Sequence, residues 1–388
     1  MHMCYTPAIR ILENGFDIKT YSGGNAMATK TILPTIKSYV YTRILPKLKP
    51  RPQMQYNIPK GKDGQLPIVT ICDPMTWENL CTEHVTISLT PHNWRDVLLA
   101  NQKIRLFFCE AAWTGTTANC WRGQIYKDER VFYDNRRDLM NILELCNSKK
   151  IPTVFWAKED PMYFQDKIYN FTDTAIHFDY ILTTASECVA KYNALGHKHV
   201  YLWSFGFSPT IYFPPNSLAS PRENVAVFAG SWYTDYQHRC NDLEKIFDTV
   251  LDKKISLRIY DRHRISGRSL KPFPAKYQPY VHDAISYDAL GDVYRNVMYV
   301  INANTVSDSS TMFSRRIYEA MACGCIIITN ESLGLRQQFG SNLWYIGEGF
   351  DLTNLEEIET IRNQNIDIVF SSHTWGYRMK QLCELIES

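Results

Sequence analysis

The chain has 388 residues, of which 45% are hydrophobic and 21% charged, a composition typical of a globular protein and not of a disordered one. Its 42 basic and 40 acidic residues give a formal net charge of +2. Because phosphate contacts normally show as a basic excess, we do not expect a nucleic-acid partner. The length suffices for two domains with an interface between them.

Residues 1–65 hold ten Lys/Arg and three Asp/Glu, so this N-terminal extension is basic. A basic extension can contact an anionic polymer or a membrane surface peripherally. The alternative is a solvated, partly irregular extension without a partner. No apolar run approaches the ~20 residues that span a bilayer, and the N-terminus lacks a signal-peptide pattern. We therefore expect a cytoplasmic protein whose membrane contact, if it makes one, is peripheral.

The 11 cysteines stand singly in apolar segments and form no CxxC pair, which predicts neither a disulfide framework nor a zinc site. From Leu66 onward, short apolar runs alternate with amphipathic segments. We predict six buried strands: "LPIVTIC", "HVTISL", "KIRLFFC", "IPTVFWA", "HFDYILTT" and "HVYLWSF". Strands that alternate with helices indicate a parallel sheet with helices on both faces. Residues 66–215 are thus predicted to be a Rossmann-like domain.

A proline-rich segment, "GFSPTIYFPPNSLASPREN", reads as a linker near residue 215. A second series follows: "NVAVFAGSW", a helix from about His238 to Leu251, "KISLRIYD", "YVINAN", a further helix, "CIIIT" and "NLWYIG". We assign residues 216–388 to a second Rossmann-like domain that ends in a helix. The predicted fold class is α/β, with the two domains facing across a cleft that holds the ligand site at the carboxyl ends of the strands.

The stretch "SSTMFSRRIYEAMACGC" carries the strongest site pattern. Its three initial hydroxyl residues are N-cap candidates, which predicts a helix that begins near Met312. Thr311, Arg315 and Glu319 would then lie along one stripe of that helix. A helix N-terminus and an arginine suit a diphosphate, and a carboxylate one turn later suits two ribose hydroxyls. The alternative is an Arg315–Glu319 surface pair worth ~0.3–0.5 kcal/mol.

Gly230 and Ser231 directly follow a strand of the second series, where a small residue lets the backbone approach a phosphate. A simple turn at the strand end is the alternative.

Three carboxylates follow strands of the first domain, where we expect the acceptor. Glu110 follows "KIRLFFC", and the loop after it carries Trp113 and Trp121, whose faces can stack on sugar rings. Glu159 and Asp160 follow "IPTVFWA" in the same way. We predict Glu110 as the general base that takes the acceptor's hydroxyl proton, with Asp160 as its rival. For all three, buried caps or salt bridges are the alternative.

Several motifs in chain order carry a family resemblance: "ICDPMTWENL", "FFCEAAWTGTTANCWRGQI", "IPTVFWAKEDPMYF", "VAVFAGSWYTDYQHRCNDL", "IYDR" and "INANTVSDSSTMFSRRIYEAMACG". Over roughly residues 66–345, the chain resembles the group 1 GT-B glycosyltransferases and, within them, the CgeB-like branch named for spore-maturation proteins. That branch includes cell-surface polymer transferases.

The resemblance implies that Glu319 takes the place of the second glutamate of the E-x7-E pattern, which contacts the nucleotide ribose. Thr311 stands where the pattern has its first glutamate, the usual contact of the donor sugar, so the sugar and the stereochemistry stay open. Arg315 and Arg316 become the diphosphate clamp, and Arg262 of "IYDR" a second cation. The chain contains no Asp-x-Asp triplet, the metal-binding signature of the GT-A fold. We therefore expect transfer without a metal or other cofactor.

The expected function is transfer of a sugar from a nucleotide-diphosphate sugar, with UDP as the carrier on family grounds, to a hydroxyl of a surface glycopolymer or glycoconjugate. Two alternatives remain: a catalytically silent spore-coat or assembly protein of the same fold, and a nucleotide-sugar epimerase.

Overall fold

The computed structural model describes residues 66–100, 103–117, 119–216, 221–348 and 354–387. The basic extension, residues 1–65, lies outside the described residues, so its predicted surface contact stays a prediction.

The first domain is built on six parallel strands in the order β2-β1-β3-β4-β5-β6. They are β1 (Ile68–Ile71), β2 (Thr86–Ser88), β3 (Leu106–Glu110), β4 (Thr153–Ala157), β5 (Tyr180–Thr183) and β6 (Val200–Leu202). Each lies within one of the predicted apolar runs or extends one residue past it. Strand order reverses between β1 and β3, the place where ligands bind in open parallel sheets.

Helices cover both faces of this sheet: α1 (Pro74–Glu83), α2 (Trp94–Leu99), α3 (Arg137–Ser148), α4 (Phe171–Ala175) and α5 (Ser186–Ala194). α1 starts with proline, whose missing N–H costs nothing in a first turn. α3 buries four residues spaced three, one and three apart, from Leu139 to Cys146, so one face of the helix packs on the sheet.

The second domain is also built on six parallel strands, in the order β11-β8-β7-β12-β13-β14. These are β7 (Glu223–Gly230), β8 (Ser256–Asp261), β11 (Val281–His282), β12 (Val297–Asn302), β13 (Ile326–Thr329) and β14 (Trp344–Tyr345). A separate antiparallel hairpin, β9 (Arg264–Ile265) and β10 (Arg268–Ser269), follows β8. Strand order reverses between β7 and β12.

The helices of this half are α6 (Gln237–Asp252), a 3₁₀ helix (Ala275–Tyr280), α7 (Tyr287–Asn296), α8 (Arg316–Ala322), α9 (Leu333–Phe339), α10 (Leu355–Ser372) and α11 (Trp375–Glu387). The predicted helix from His238 to Leu251 corresponds to α6. No helix among the described residues combines the length and the hydropathy that crossing a bilayer requires.

The C-terminal helix corrects the predicted domain boundary. α11 packs on the first sheet: the Trp375 ring lies 5.6 Å from both Trp156 and Trp203, and Met379 and Leu382 are buried in the same cluster. Assigning all of residues 216–388 to the second domain is therefore wrong at its end. The physical reason is that the apolar face of α11 buries itself by covering the first sheet.

The chain thus crosses between the domains twice, and the two crossings lie side by side. Phe207 N donates to His373 O at 3.1 Å, and Trp375 N donates to Phe207 O at 2.9 Å. These paired backbones join the domains next to the cleft.

Candidate active site

Loops that follow strands of both sheets meet in a cleft between the domains. Asn79 on α1 donates to the Tyr287 hydroxyl on α7 at 2.8 Å, and the Tyr236 hydroxyl lies 3.3 Å from Met162 Sδ. The carboxyl ends of β1, β3 and β4 form one wall, and those of β7, β8 and β12 form the other. Both walls carry charged side chains.

A buried charge cluster lies at the end of β1 and β3 in the first wall. Lys158 Nζ lies 3.0 Å from Asp73 Oδ2 and 2.9 Å from Glu110 Oε1. Asp73 N donates to Glu110 Oε1, and Thr76 Oγ1 donates to Glu110 Oε2, both at 2.6 Å. Both oxygens of the Glu110 carboxylate are therefore occupied, and the side chain has no exposed surface.

Burial and the attraction between opposite charges act against each other in this cluster. Burial raises the pKa of Glu110, although the Lys158 ammonium opposes that shift. Burial also works against ionised Asp73, but Lys158 and two backbone N–H groups outweigh it and lower the pKa of Asp73. The two carboxylates likewise overcome the burial of Lys158 and raise its pKa.

Asp73 also orders the tryptophan loop that follows β3. Its carboxylate accepts hydrogen bonds from the backbone N–H groups of Trp113, Thr114 and Gly115 at 3.0, 2.8 and 3.1 Å. A carboxylate that accepts several backbone hydrogen bonds fixes the path of the chain around it. The charge cluster thus positions the loop that we expected to receive the acceptor.

Both carboxylates predicted as bases are corrected by their surroundings. Glu110 is locked between Lys158 and Thr76. Asp160 is 3% exposed, and its Oδ2 accepts from Thr183 Oγ1 at 2.7 Å within the first domain. Burial raises the pKa of Asp160 to about 7. Asp160 completes a network inside the first domain, whereas Glu110 interacts electrostatically with Arg315 of the second domain but has no exposed surface.

The two tryptophans predicted to bind the acceptor differ in exposure, and for Trp113 that role stays a prediction. Trp121 is fully buried in the first core and donates from Nε1 to Leu89 O at 2.7 Å, so a sugar cannot stack on it and that assignment is wrong. Trp113 is partly buried, and its ring meets the edges of Tyr163, Tyr169 and Phe171 at centroid distances of 5.1–5.2 Å. Its Nε1 donates to Glu159 Oε1 at 2.9 Å.

In the second wall, the predicted helix begins four residues later than expected. Residues 309–314 form a loop, in which Ser309 Oγ accepts from Met312 N at 3.1 Å and Asn304 Oδ1 accepts from Ser314 N at 3.0 Å. These side chains satisfy backbone N–H groups that a helix would otherwise leave unpaired. α8 is then only seven residues long, so a diphosphate would depend on arginines more than on a helix dipole.

Thr311 consequently lies on the loop and not on a helix stripe. Its Oγ1 donates to Thr184 O at 2.9 Å and accepts from Ser186 N at 2.9 Å. The Ser310 and Ser186 hydroxyls are 2.8 Å apart. The loop therefore joins the second domain to the start of α5 in the first.

Arg315 and Glu319 form a buried pair at the start of α8. Arg315 Nε lies 2.6 Å from Glu319 Oε1, and the Tyr287 hydroxyl donates to the same oxygen. Glu319 is 2% exposed, which rules out the alternative of a surface pair. Burial disfavours the charged guanidinium, but the Glu319 carboxylate dominates and raises the pKa of Arg315. Among the described residues, no hydrogen bond engages Glu319 Oε2 or the two terminal nitrogens of Arg315.

Two further arginines lie near this pair. Arg262 follows β8 and keeps solvent contact. Desolvation by the surrounding protein lowers its pKa, and the positive charges of Arg316 and Arg315 act in the same direction. Arg316 donates to Ala229 O and lies 3.4 Å from Asn302 Oδ1, so it holds the end of β7 against β12. Arg315 and Arg262 are thus available to an anion, whereas Arg316 is partly engaged in the sheet.

Gly230 and Ser231 lie at the end of β7, as expected. A Cβ atom on Gly230 would come within 2.7 Å of the Phe228 ring. Packing alone therefore explains why a glycine stands at this position. Ser231 is 1% exposed, and its Oγ has no hydrogen-bond partner within the described part of the chain.

Asp73, Lys158 and Tyr287 also belong to the site but were not predicted from the sequence. Asp73 lies two residues after β1 and Lys158 directly follows β4, so the rule applied to Glu110 would also have found them. Tyr287 offered no such signal, since it lies 32 residues before Glu319 and meets it only through the packing of α7 on α8.

Comparisons with known proteins agree with this architecture. HepE from Anabaena, solved in complex with UDP-glucose, superimposes with a TM-score of 0.51 at 11% identity over 83% of this chain and 100% of that chain. The same protein in complex with UDP and glucose gives a TM-score of 0.50 at 11% identity over the same shares. This chain has the GT-B fold. At such low identity, the likeness shows the fold alone.

A family model described as glycosyl transferase-like matches residues 243–384. The match begins within α6 and extends into α11, so it includes Arg262, Arg315 and Glu319. A search of curated proteins found no match. The glycosyl transferase-like region of this GT-B protein therefore contains β8 and β12 of the second wall, whereas β7 precedes it.

Proposed function

We propose that this GT-B protein is a glycosyltransferase that moves a sugar from a nucleotide-diphosphate sugar to a hydroxyl of a surface glycopolymer or glycoconjugate. The observation that carries the proposal is the buried Arg315–Glu319 pair, which lies in the cleft and within the glycosyl transferase-like region. UDP as the carrier is supported by HepE, whose structures hold UDP and UDP-glucose.

The proposed donor site uses charged and polar groups that the second domain brings to the cleft. The diphosphate lies between the terminal nitrogens of Arg315 and the guanidinium of Arg262, where two positive charges stabilise the leaving group. Glu319 Oε2 accepts a hydrogen bond from the ribose. Gly230 and Ser231 line the same strand end, and the Ser231 hydroxyl gains a partner there.

We further propose that the chain belongs to the CgeB-like branch of the group 1 enzymes, which the resemblance of its motifs on both domains supports. The protein works in the cytoplasm, and residues 1–65 bring it to an anionic membrane or polymer surface. Arg316 supports the donor site by fixing the end of β7, and Thr311 does so by holding the loop before α8.

A panel of nucleotide sugars tests the function directly. We expect one UDP-sugar to raise the melting temperature of the protein and to be hydrolysed slowly, with release of UDP, because water replaces the missing acceptor. Thermal shift and chromatography of the products measure both effects. Binding of no donor would favour the silent assembly protein, and an epimerised donor without released UDP would favour the epimerase.

We expect the activity to survive chelation by EDTA. Arg315 and Arg262 supply the positive charge that a divalent cation would otherwise provide, so removing metal should change the rate of UDP release by less than about twofold. The measurement is UDP release after dialysis against EDTA. Loss of activity that Mn²⁺ or Mg²⁺ restores would contradict the proposed diphosphate site.

A further inference from the structure

The structure assigns the acceptor-side carboxylate to Glu159, and we propose that Glu159 is the general base that takes the proton of the attacking hydroxyl. This inference rests on the proposed glycosyl transfer and names a catalytic group for it. Three carboxylates follow strands in the first wall, and their surroundings separate them.

Exposure is the first difference. The Glu159 side chain is 26% exposed, whereas Glu110 has no exposed surface and Asp160 is 3% exposed. A base must come within hydrogen-bond distance of the proton that it removes, so a sealed carboxylate is excluded unless its network breaks. Glu159 meets this requirement without any rearrangement of the Lys158 cluster.

The second difference is the way the carboxylate is held. Trp113 Nε1 donates to Glu159 Oε1 at 2.9 Å, and the ring of Trp113 is fixed by Tyr163, Tyr169 and Phe171. Lys158 Nζ lies 4.0 Å from the same oxygen. One oxygen is thus anchored, and Oε2 forms no hydrogen bond to any of the described residues. Trp113 acts as a positioning residue here and not as a stacking platform.

The third difference is the group with which each carboxylate interacts. Glu159 interacts electrostatically with Arg262 of the second domain, so it faces the wall that holds the proposed diphosphate. Asp160 instead hydrogen-bonds Thr183 in its own domain, and Glu110, which interacts electrostatically with Arg315, has no exposed surface. A carboxylate on one wall and the diphosphate cations on the other leave the sugar carbon between them.

In the proposed step, the sugar passes from the diphosphate to the acceptor oxygen. The acceptor oxygen forms a bond to the anomeric carbon of the donor, and its proton passes to Glu159 Oε2. The bond between that carbon and the diphosphate oxygen breaks, and its electron pair leaves with the nucleoside diphosphate. Arg315 and Arg262 stabilise the negative charge that the diphosphate gains.

The groups around Glu159 affect how readily it accepts a proton. Lys158 and Asp160 adjoin it in sequence, Asp73 and Tyr163 face it within the first domain, and Arg262 faces it from the second. Burial raises the pKa of Glu159, and Lys158 opposes the shift. A carboxylate with a raised pKa accepts a proton more readily once it is ionised.

The test compares the wild type with Glu159→Gln, using a UDP-sugar that the wild type hydrolyses and water as the acceptor. We expect Glu159→Gln to keep its melting temperature and its affinity for the UDP-sugar by calorimetry, while UDP release slows ~10²–10⁴-fold. In the wild type, the rate of UDP release should fall as the pH drops through the raised pKa of Glu159. The rate of the Glu159→Gln enzyme should not show this fall. Trp113→Phe should slow release by roughly tenfold, because it removes one hydrogen bond to the charged group.

Glu144→Gln is the matched control, since Glu144 is an exposed carboxylate on α3, and it should leave the rate unchanged. Near wild-type release by a folded Glu159→Gln enzyme would overturn the assignment of Glu159 while leaving the glycosyltransferase proposal intact. If the wild type neither binds nor hydrolyses any UDP-sugar, both proposals fail together.

Discussion

Replacing Arg315 with alanine is expected to lower kcat/KM for sugar transfer about 10²–10³-fold, the usual effect of removing one group that stabilises a developing negative charge. Arg315 lies in the cleft with its terminal nitrogens unengaged by the described residues, and its pairing with Glu319 keeps it charged. Initial rates of UDP release over a range of donor concentrations measure the effect. Because the charge on the diphosphate grows as its bond to the sugar breaks, kcat should fall more than donor affinity.

Two further variants make this prediction specific. Arg315→Lys keeps the positive charge but loses the planar fork, so it should recover only part of the activity. Arg336→Ala removes an arginine that pairs with the exposed carboxylates of Glu331 and Glu348 and does not contact Arg315 or Glu319, and it should leave transfer unchanged. An Arg315→Ala enzyme with wild-type kcat/KM would show that the diphosphate binds elsewhere.

Replacing Lys158 with methionine is expected to lower the free energy of unfolding of the first domain by about 3–5 kcal/mol. The substitution leaves Asp73 and Glu110 as two buried carboxylates without their shared cation. It also loosens the loop that Asp73 holds, so UDP release should slow as well. Urea denaturation followed by tryptophan fluorescence measures the change in stability.

The contribution of the Lys158 cluster to stability depends on pH. Because the pKa of Lys158 is raised in the folded protein, its contribution is complete below the ordinary lysine pKa of about 10.4 and is lost as pH rises through the folded value. Because the pKa of Asp73 is lowered, its contribution is complete above about 3.9 and is lost as pH falls through the folded value. The stability difference between wild type and Lys158→Met should therefore be largest at intermediate pH.

Lys276→Met is the matched control for stability. Lys276 also contacts two carboxylates, Glu244 and Asp248, but all three side chains are 44–48% exposed, so the free energy of unfolding should barely change. Equal losses in the two variants would mean that the Lys158 cluster is no more than a surface network.

The architecture of this protein can be predicted from its local sequence patterns. Valine- and isoleucine-rich runs alternating with amphipathic helices predict parallel sheets, because strands buried on both faces carry continuous apolar residues. All six strands of the first sheet followed from this local pattern. The cleft also followed from it, since parallel strands bring their carboxyl ends to one edge. So did Arg315 and Glu319 as candidates, because their positions near a predicted helix start can be read from the chain, whereas Arg262 came from the family resemblance of its motif.

What the sequence could not decide was which side chain at a strand end faces the cleft. Glu110, Glu159 and Asp160 all lie at the ends of buried strands. Lys158 donates a hydrogen bond to Glu110, and Thr183 donates one to Asp160. Those partners come from other strands, and the hydrogen bonds that select among equivalent carboxylates form only when the sheet assembles. The same holds for Thr311, whose partners lie in the other domain, and for α11, which returns to the first sheet. Local periodicity indicates which helices and strands form. Their packing partners depend on the folded structure, because contacts between distant segments produce no regular spacing in the sequence.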